Sequence, residues 1–159
     1  MRTRSARRVL TGFTAAASLM MLASGPAIAS DKNWGPLTGP ADQRKCSATK
    51  DHGNFPNIKF QPCIVFAGPG SATARPTLIV SNTGTETVTI RATITSNWGN
   101  DFQVNCAVSP FVAGGHVQCQ GDPGQVTRCG RSTTYADLTV DGRTTRSTSK
   151  RHDWHPTGC

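Results

Sequence analysis

Residues 74–96, ARPTLIVSNTGTETVTIRATITS, decide the fold class. Val88, Ile90, Ala92 and Ile94 fall on one face of an extended segment, and Thr87, Thr89, Arg91, Thr93 and Thr95 on the other. That period of two marks a half-buried strand. Leu78 and Val80 repeat it in a shorter run just before. Asn82-Thr83-Gly84 between the runs is turn chemistry, because Asn and Gly tolerate positive φ. The pattern predicts a hairpin, with the remaining strands packed on its Val88/Ile90/Ile94 face.

Upstream, residues 58–67 read as a strand carrying Cys63, Val65 and a bulge-like Pro62. Downstream, Phe102, Val104, Cys106 and Val108 alternate, and Val117 and Cys119 begin a short strand. Residues 133–140 read as a strand with Ala136, Leu138 and Val140 inward. Asp141-Gly142 is a strong hairpin signal, and residues 143–154 return as the last strand. About seven strands, with no helical pattern and no repeat, predict an antiparallel β-sandwich over residues 58–159.

The start of the chain reads as an export signal over residues 1–29. Arg2, Arg4, Arg7 and Arg8 precede an uncharged apolar run, and Ala27-Ile28-Ala29 is a small-x-small cleavage site. The run is too short to span a membrane, which takes about 20 residues. The expectation is a secreted, extracellular chain with no membrane attachment after cleavage. Residues 30–57, with Gly35, Pro36, Gly39, Pro40, Gly53 and Pro56, read as a polar leader, loosely ordered until Cys46 ties it down.

Seventeen Lys and Arg stand against nine Asp and Glu. Four of the Arg lie in the signal and none of the acids does, so the chain from residue 30 onward carries a net charge of +4. Arg143, Arg146, Lys150 and Arg151 form its densest basic group. Spread along a strand-like segment they read as a solvated face, with an acidic partner as the alternative. Without a basic cluster, no nucleic-acid partner is expected.

All six cysteines follow the signal: Cys46, Cys63, Cys106, Cys119, Cys129 and Cys159. An even number in an oxidising compartment reads as three disulfides, and six cysteines allow fifteen pairings. Cys46–Cys63, Cys106–Cys119 and Cys129–Cys159 are favoured because each closes a local loop. The chain is poor in large apolar side chains, so a thin core needs such staples.

Chemistry-bearing motifs are sparse. Glu86 is the only Glu, and no GxSxG elbow surrounds any Ser. No CxxC pair suggests zinc, and His152 and His155 point to opposite faces of a strand. No enzyme activity, cofactor or metal is expected. Trp98 and Trp154 have two readings: exposed rings that stack on the sugars of a polysaccharide, or rings that seal the ends of a thin core.

The C-terminal third, Cys129 followed by GRSTTYADLTVDG and a final strand to Cys159, resembles the bacterial subtilisin-inhibitor family of small secreted β proteins that block serine proteases. Cys106, Gly114-Gly115-His116 and Cys119 are similar to that family's first disulfide loop. The resemblance implies a protease-binding loop of Gly130, Arg131, Ser132 and Thr133. Arg131 would then fill the acidic specificity pocket of a trypsin-like enzyme. Two features depart from that family. Gly130 stands where a Pro is common, and Cys119 to Cys129 is too short for its helical segment. The expected function is extracellular, non-catalytic binding, to a serine protease through residues 130–133 or alternatively to a wall polysaccharide through Trp.

Overall fold

The computed structural model describes residues 31–99, 102–126 and 130–154, the last three in backbone only. The signal segment and the Cys129–Cys159 pairing lie outside the described residues.

Among the described residues, eleven strands form two antiparallel sheets. They are β1 (Arg44–Cys46), β2 (Lys50–His52), β3 (Phe55–Phe66), β4 (Thr73–Asn82), β5 (Val88–Ser96), β6 (Gln103–Phe111), β7 (His116–Gln120), β8 (Gly124–Gln125), β9 (Gly130–Val140), β10 (Arg143–Arg146) and β11 (Lys150–Trp154). One sheet runs β1-β3-β4-β7, with β2 also on β3 and β8 also on β4. The other runs β10-β9-β5-β6, with β11 also on β9. The expected seven strands become eleven because the leader supplies β1 and β2, Gly124–Gln125 adds β8, and the expected last strand is split into β10 and β11. The order β3-β4-β7 facing β10-β9-β5-β6 is immunoglobulin-like, three strands against four.

The predicted hairpin at residues 82–87 is not one. β4 and β5 belong to different sheets, so this turn crosses the sandwich. Leu78 and Val80 face Val88, Ile90 and Ile94 across the core instead of pairing beside them. Asn82, buried, holds the crossing. Its Nδ2 donates to Glu86 O (2.8 Å) and Val112 O (3.2 Å), and its Oδ1 accepts from Gly84 N–H (3.0 Å). Turn residues fix a reversal, not the partner of the strand that follows.

The main core joins Ile58, Phe60, Leu78, Val80, Ile90, Ile94, Leu138 and Val140, all nearly inaccessible. A second cluster of Ile64, Phe66, Ala74, Trp98 and Val126 lies apart from it. The Asp141-Gly142 turn forms as expected between β9 and β10, with φ of 42° and 80°. Pro62 lies inside β3, between the stretches that β1 and β2 pair, where a missing N–H is tolerated.

The leader is built into the sandwich. Lys32 N–H donates to Asn105 O (2.8 Å) and Lys32 O accepts from Ala107 N–H (2.9 Å), both on the free edge of β6. Gly35 exchanges two bonds of 2.9 Å with Gln118 on β7. The leader thus crosses from one sheet to the other, beside the Cys106–Cys119 disulfide that links the same two strands. It then runs past Gln118, whose Nε2 donates to Thr38 Oγ1 (2.8 Å), to β1. Cys46–Cys63 pins it there, directly across the β1–β3 ladder. The expected domain start at residue 58 therefore falls inside β3, and residues 31–57 supply two strands and a strap.

Gly121 follows β7 where the sheets approach. A Cβ there would sit 2.6 Å from Val104 Cγ2 and 2.8 Å from Pro76 Cγ. Gly121→Ala is expected to cost about 1–3 kcal/mol through this overpacking. Urea unfolding checks it: the midpoint falls while the slope stays unchanged.

Candidate functional site: the outer face of the five-stranded sheet

Strand alternation assigns the outer face of the β10-β9-β5-β6 sheet. β5 presents Thr89, Arg91, Thr93 and Thr95, and β9 presents Arg131, Thr133, Tyr135, Asp137 and Thr139. β10 adds Thr144 and Arg146, opposite Thr139 and Asp137. β11 adds Arg151, opposite Thr133. The same alternation that buries Ile90, Ile94, Leu138 and Val140 thus turns Thr and Arg outward.

The side chains on this face are ordered by one another. Arg146 Nε and Nη2 donate to the two oxygens of Asp137, both at 2.8 Å. That paired carboxylate holds the guanidinium above its usual pKa. The Arg146 guanidinium also lies 4.9 Å from the centre of the Tyr135 ring, covering it. Thr93 Oγ1 donates to Asn105 Oδ1 (3.2 Å), and the Thr139 and Thr144 hydroxyls share a bond of 2.8 Å. Arg91, exposed, makes no hydrogen bond or ion pair among the described residues. It stands where the β5–β6 register shifts, a bulge that aims side chains away from the regular pleat.

Between these groups lies an open cavity of about 370 Å³. It is lined by Asp31, Arg91, Thr93, Asn105, Asp137, Thr139 and Thr144, with Val108 at the β6 edge. Hydroxyl, amide and ionic groups on paired strands form a fixed array of donors and acceptors. Such an array is suited to holding a polar ligand.

The residues expected from the sequence fall in different places. Gly130, Arg131, Ser132 and Thr133 begin β9 and do not form a projecting loop. One edge of this stretch pairs with β11, and the other is held by Asn97. Asn97 Nδ2 donates to Arg131 O (3.0 Å), Asn97 Oδ1 accepts from Thr133 N–H (2.7 Å), and Asn97 N–H donates to Thr133 O (3.2 Å). Arg131 is exposed on the same face as Arg91, and Ser132 is buried. Trp98 is 3% exposed, so its ring offers no surface to a sugar. The side chain of Trp154 lies outside the described residues, as does His155. Trp34 packs on the main core and donates from Nε1 to Ala107 O (2.7 Å). Asn105, Asp137 and Thr144 were missed, although the polar half of the alternation in residues 133–140 already contained Asp137.

No family model matches the chain, and no curated protein matches it. Among solved structures the chain is similar to the crystal structure of the yeast GGA1 GAE domain-P21. The identity is 8%, over 66% of this chain and 96% of that one, with a TM-score of 0.26. A likeness of that size carries no weight for function.

Proposed function

We propose that the protein is a secreted, non-catalytic binding domain that holds a polysaccharide on the outer face of its five-stranded sheet. The supporting observation is the cavity of about 370 Å³ lined by Arg91, Thr93, Asn105, Asp137, Thr139 and Thr144. Sugars present dense hydroxyls that donate and accept at once. A preordered array of Thr, Asn and Asp meets them without paying to freeze long side chains. The two disulfides favour an oxidising, extracellular setting.

The inhibitor reading keeps one supporting observation, the Asn97 clamp on Arg131 and Thr133. A braced backbone lowers the ordering cost of binding. However, both edges of residues 131–133 are already paired, and an inhibitor must offer a free edge to the enzyme cleft. The sheet face is therefore the better-supported site.

The test is a pull-down of the oxidised protein on insoluble wall polysaccharides, followed by calorimetry with the soluble polymer that retains it. Asn105→Leu together with Thr93→Val is expected to weaken binding about tenfold or more, because a buried sugar hydroxyl loses its partner. Failure of every polymer to retain the folded protein, or retention unchanged in the variant, overturns the reading. The same preparation is titrated against trypsin. Stoichiometric inhibition that Arg131→Ala abolishes would replace the polysaccharide reading with the inhibitor one.

A further inference from the structure

The bulge in β6 puts an apolar side chain on a polar rim. In the ladder Ile90 faces Ser109 and Ala92 faces Cys106, so Ala107 and Val108 together oppose Arg91. Strict alternation would turn Val108 inward, as it does Val104 and Cys106, both buried. The extra residue reverses the parity. Val108 therefore stands outward, 67% exposed, and lines the same cavity as Arg91 and Asn105. The strap supplies a third group. Lys32 bridges Cys106 through Asn105 O and Ala107 N–H, and this fixes the preceding Asp31 at the cavity wall.

Some groups of this cavity are already engaged. Asp137 is held by Arg146, and the Thr139 and Thr144 hydroxyls bond each other. Arg91 and Asp31 are exposed and make no hydrogen bond or ion pair among the described residues, not even with each other. A cation, a carboxylate and an apolar side chain thus stand unengaged around one opening. The two charges cancel in sum. A carboxylate on the ligand would meet Asp31, and an ammonium would meet Arg91. An amide suits both. Its carbonyl accepts from a guanidinium and its N–H donates to a carboxylate. In the trans form the two point in opposite directions.

We infer that the cavity takes the acetamido group of an N-acetylated hexosamine polymer, its carbonyl on Arg91, its N–H on Asp31 and its methyl on Val108. The inference rests on the polysaccharide reading above and narrows it to one substituent. A glucan offers hydroxyls to Thr93, Asn105 and Thr139 but brings no methyl to Val108 and no amide to the two charges. An exposed Val on an outer strand needs no ligand to explain it, so ligand preference is what separates the two.

Chitohexaose and cellohexaose share a β-linked backbone and differ in one substituent per sugar, acetamido in the first and hydroxyl in the second. In calorimetry the oxidised protein is expected to bind chitohexaose about tenfold tighter, the size of one charge-assisted hydrogen bond with a covered methyl group. Val108→Ser and Asp31→Ala are each expected to cut that preference to about threefold or less. Both side chains are exposed, so neither variant opens the core. Should Val108→Ser disturb β6, Asp31→Ala makes the test alone, since Asp31 lies outside the strands. Equal affinity for the two oligomers, or a preference that both variants keep, overturns the acetamido site and leaves the polysaccharide reading in place. Binding to neither oligomer overturns the acetamido site, and the polysaccharide reading falls with it only if every wall polymer also fails to retain the protein. Chitin and peptidoglycan both carry the group, so retention on either supports the site and identifies the source. Tighter binding to gelatin, whose amides are peptide bonds, than to chitohexaose overturns the assignment to a sugar.

Discussion

Trp98→Ala is expected to destabilise the protein by about 3–5 kcal/mol, the range for deleting a buried large aromatic ring. At 3% exposed, the ring is the largest member of the second cluster, with Ile64, Phe66, Ala74 and Val126 around it. That cluster is small, so few side chains are available to collapse into the vacated space. It also depends on long-range backbone ties. Gly99 N–H donates to Gln125 O (3.3 Å) and Val126 N–H to Ala72 O (2.8 Å), joining three separate segments around the indole. A cavity there loosens the ends of β4, β5 and β8 together. Trp98→Phe should recover most of the loss, because the indole N–H has no hydrogen-bond partner among the described residues and no bond is forfeited. Urea unfolding of the three proteins decides the matter. A Trp98→Ala protein of normal stability that nevertheless lets go of a bound polymer would make Trp98 a surface platform, contrary to its burial.

Period-two alternation made β5 and β9 legible before any coordinates. Val88, Ile90 and Ile94, and Ala136, Leu138 and Val140, point inward as read. The Asp141-Gly142 turn and two disulfide pairings were legible for the same reason: each is decided within a few residues or by a short loop. The crossing at Asn82 was not. A hairpin and a sheet-to-sheet turn ask the same of their turn residues, and the difference lies in whether the next strand pairs beside β4 or faces it.

The strap was hidden for another reason. Lys32 and Gly35 have no apolar period, and their bonds go to backbone atoms of β6 and β7 that side-chain chemistry does not announce. The candidate site was half legible. Arg91 and Thr93 were visible as the polar face of a strand, but only the β5–β6 and β5–β9 registers bring Asn105 and Asp137 beside them. The contact between β2 and β10 was illegible in principle. Lys50 and Arg146, which meet there, are 96 residues apart, and each alone reads as solvated surface.

Cys106→Ala with Cys119→Ala is expected to cost about 3 kcal/mol, and more than Cys46→Ala with Cys63→Ala. Chain entropy alone does not predict that order. The bridges span 13 and 17 residues, and loops of those lengths differ by only ~0.2 kcal/mol, in favour of the longer one. The difference comes from where each bridge sits. Cys46 and Cys63 face each other across a ladder whose hydrogen bonds already hold β1 to β3. Cys106 and Cys119 belong to different sheets, and among the described residues theirs is the only disulfide between the sheets. They also set the gap that the leader spans, with Lys32 on one bank and Gly35 on the other. Opening that side should release the Lys32 and Gly35 bonds together. Alanine is the replacement of choice, since both cysteines are buried and a hydroxyl there would lack a partner. Calorimetry gives the ranking, and amide exchange gives the cause. Without the 106–119 bridge, the amides of Lys32, Gly35 and Ala107 should exchange faster than the centre of β9. Without the 46–63 bridge, they should keep its pace. The opposite ranking, or leader amides that stay protected, would mean that β1 anchors the strap and that the two sheets hold together through their core alone.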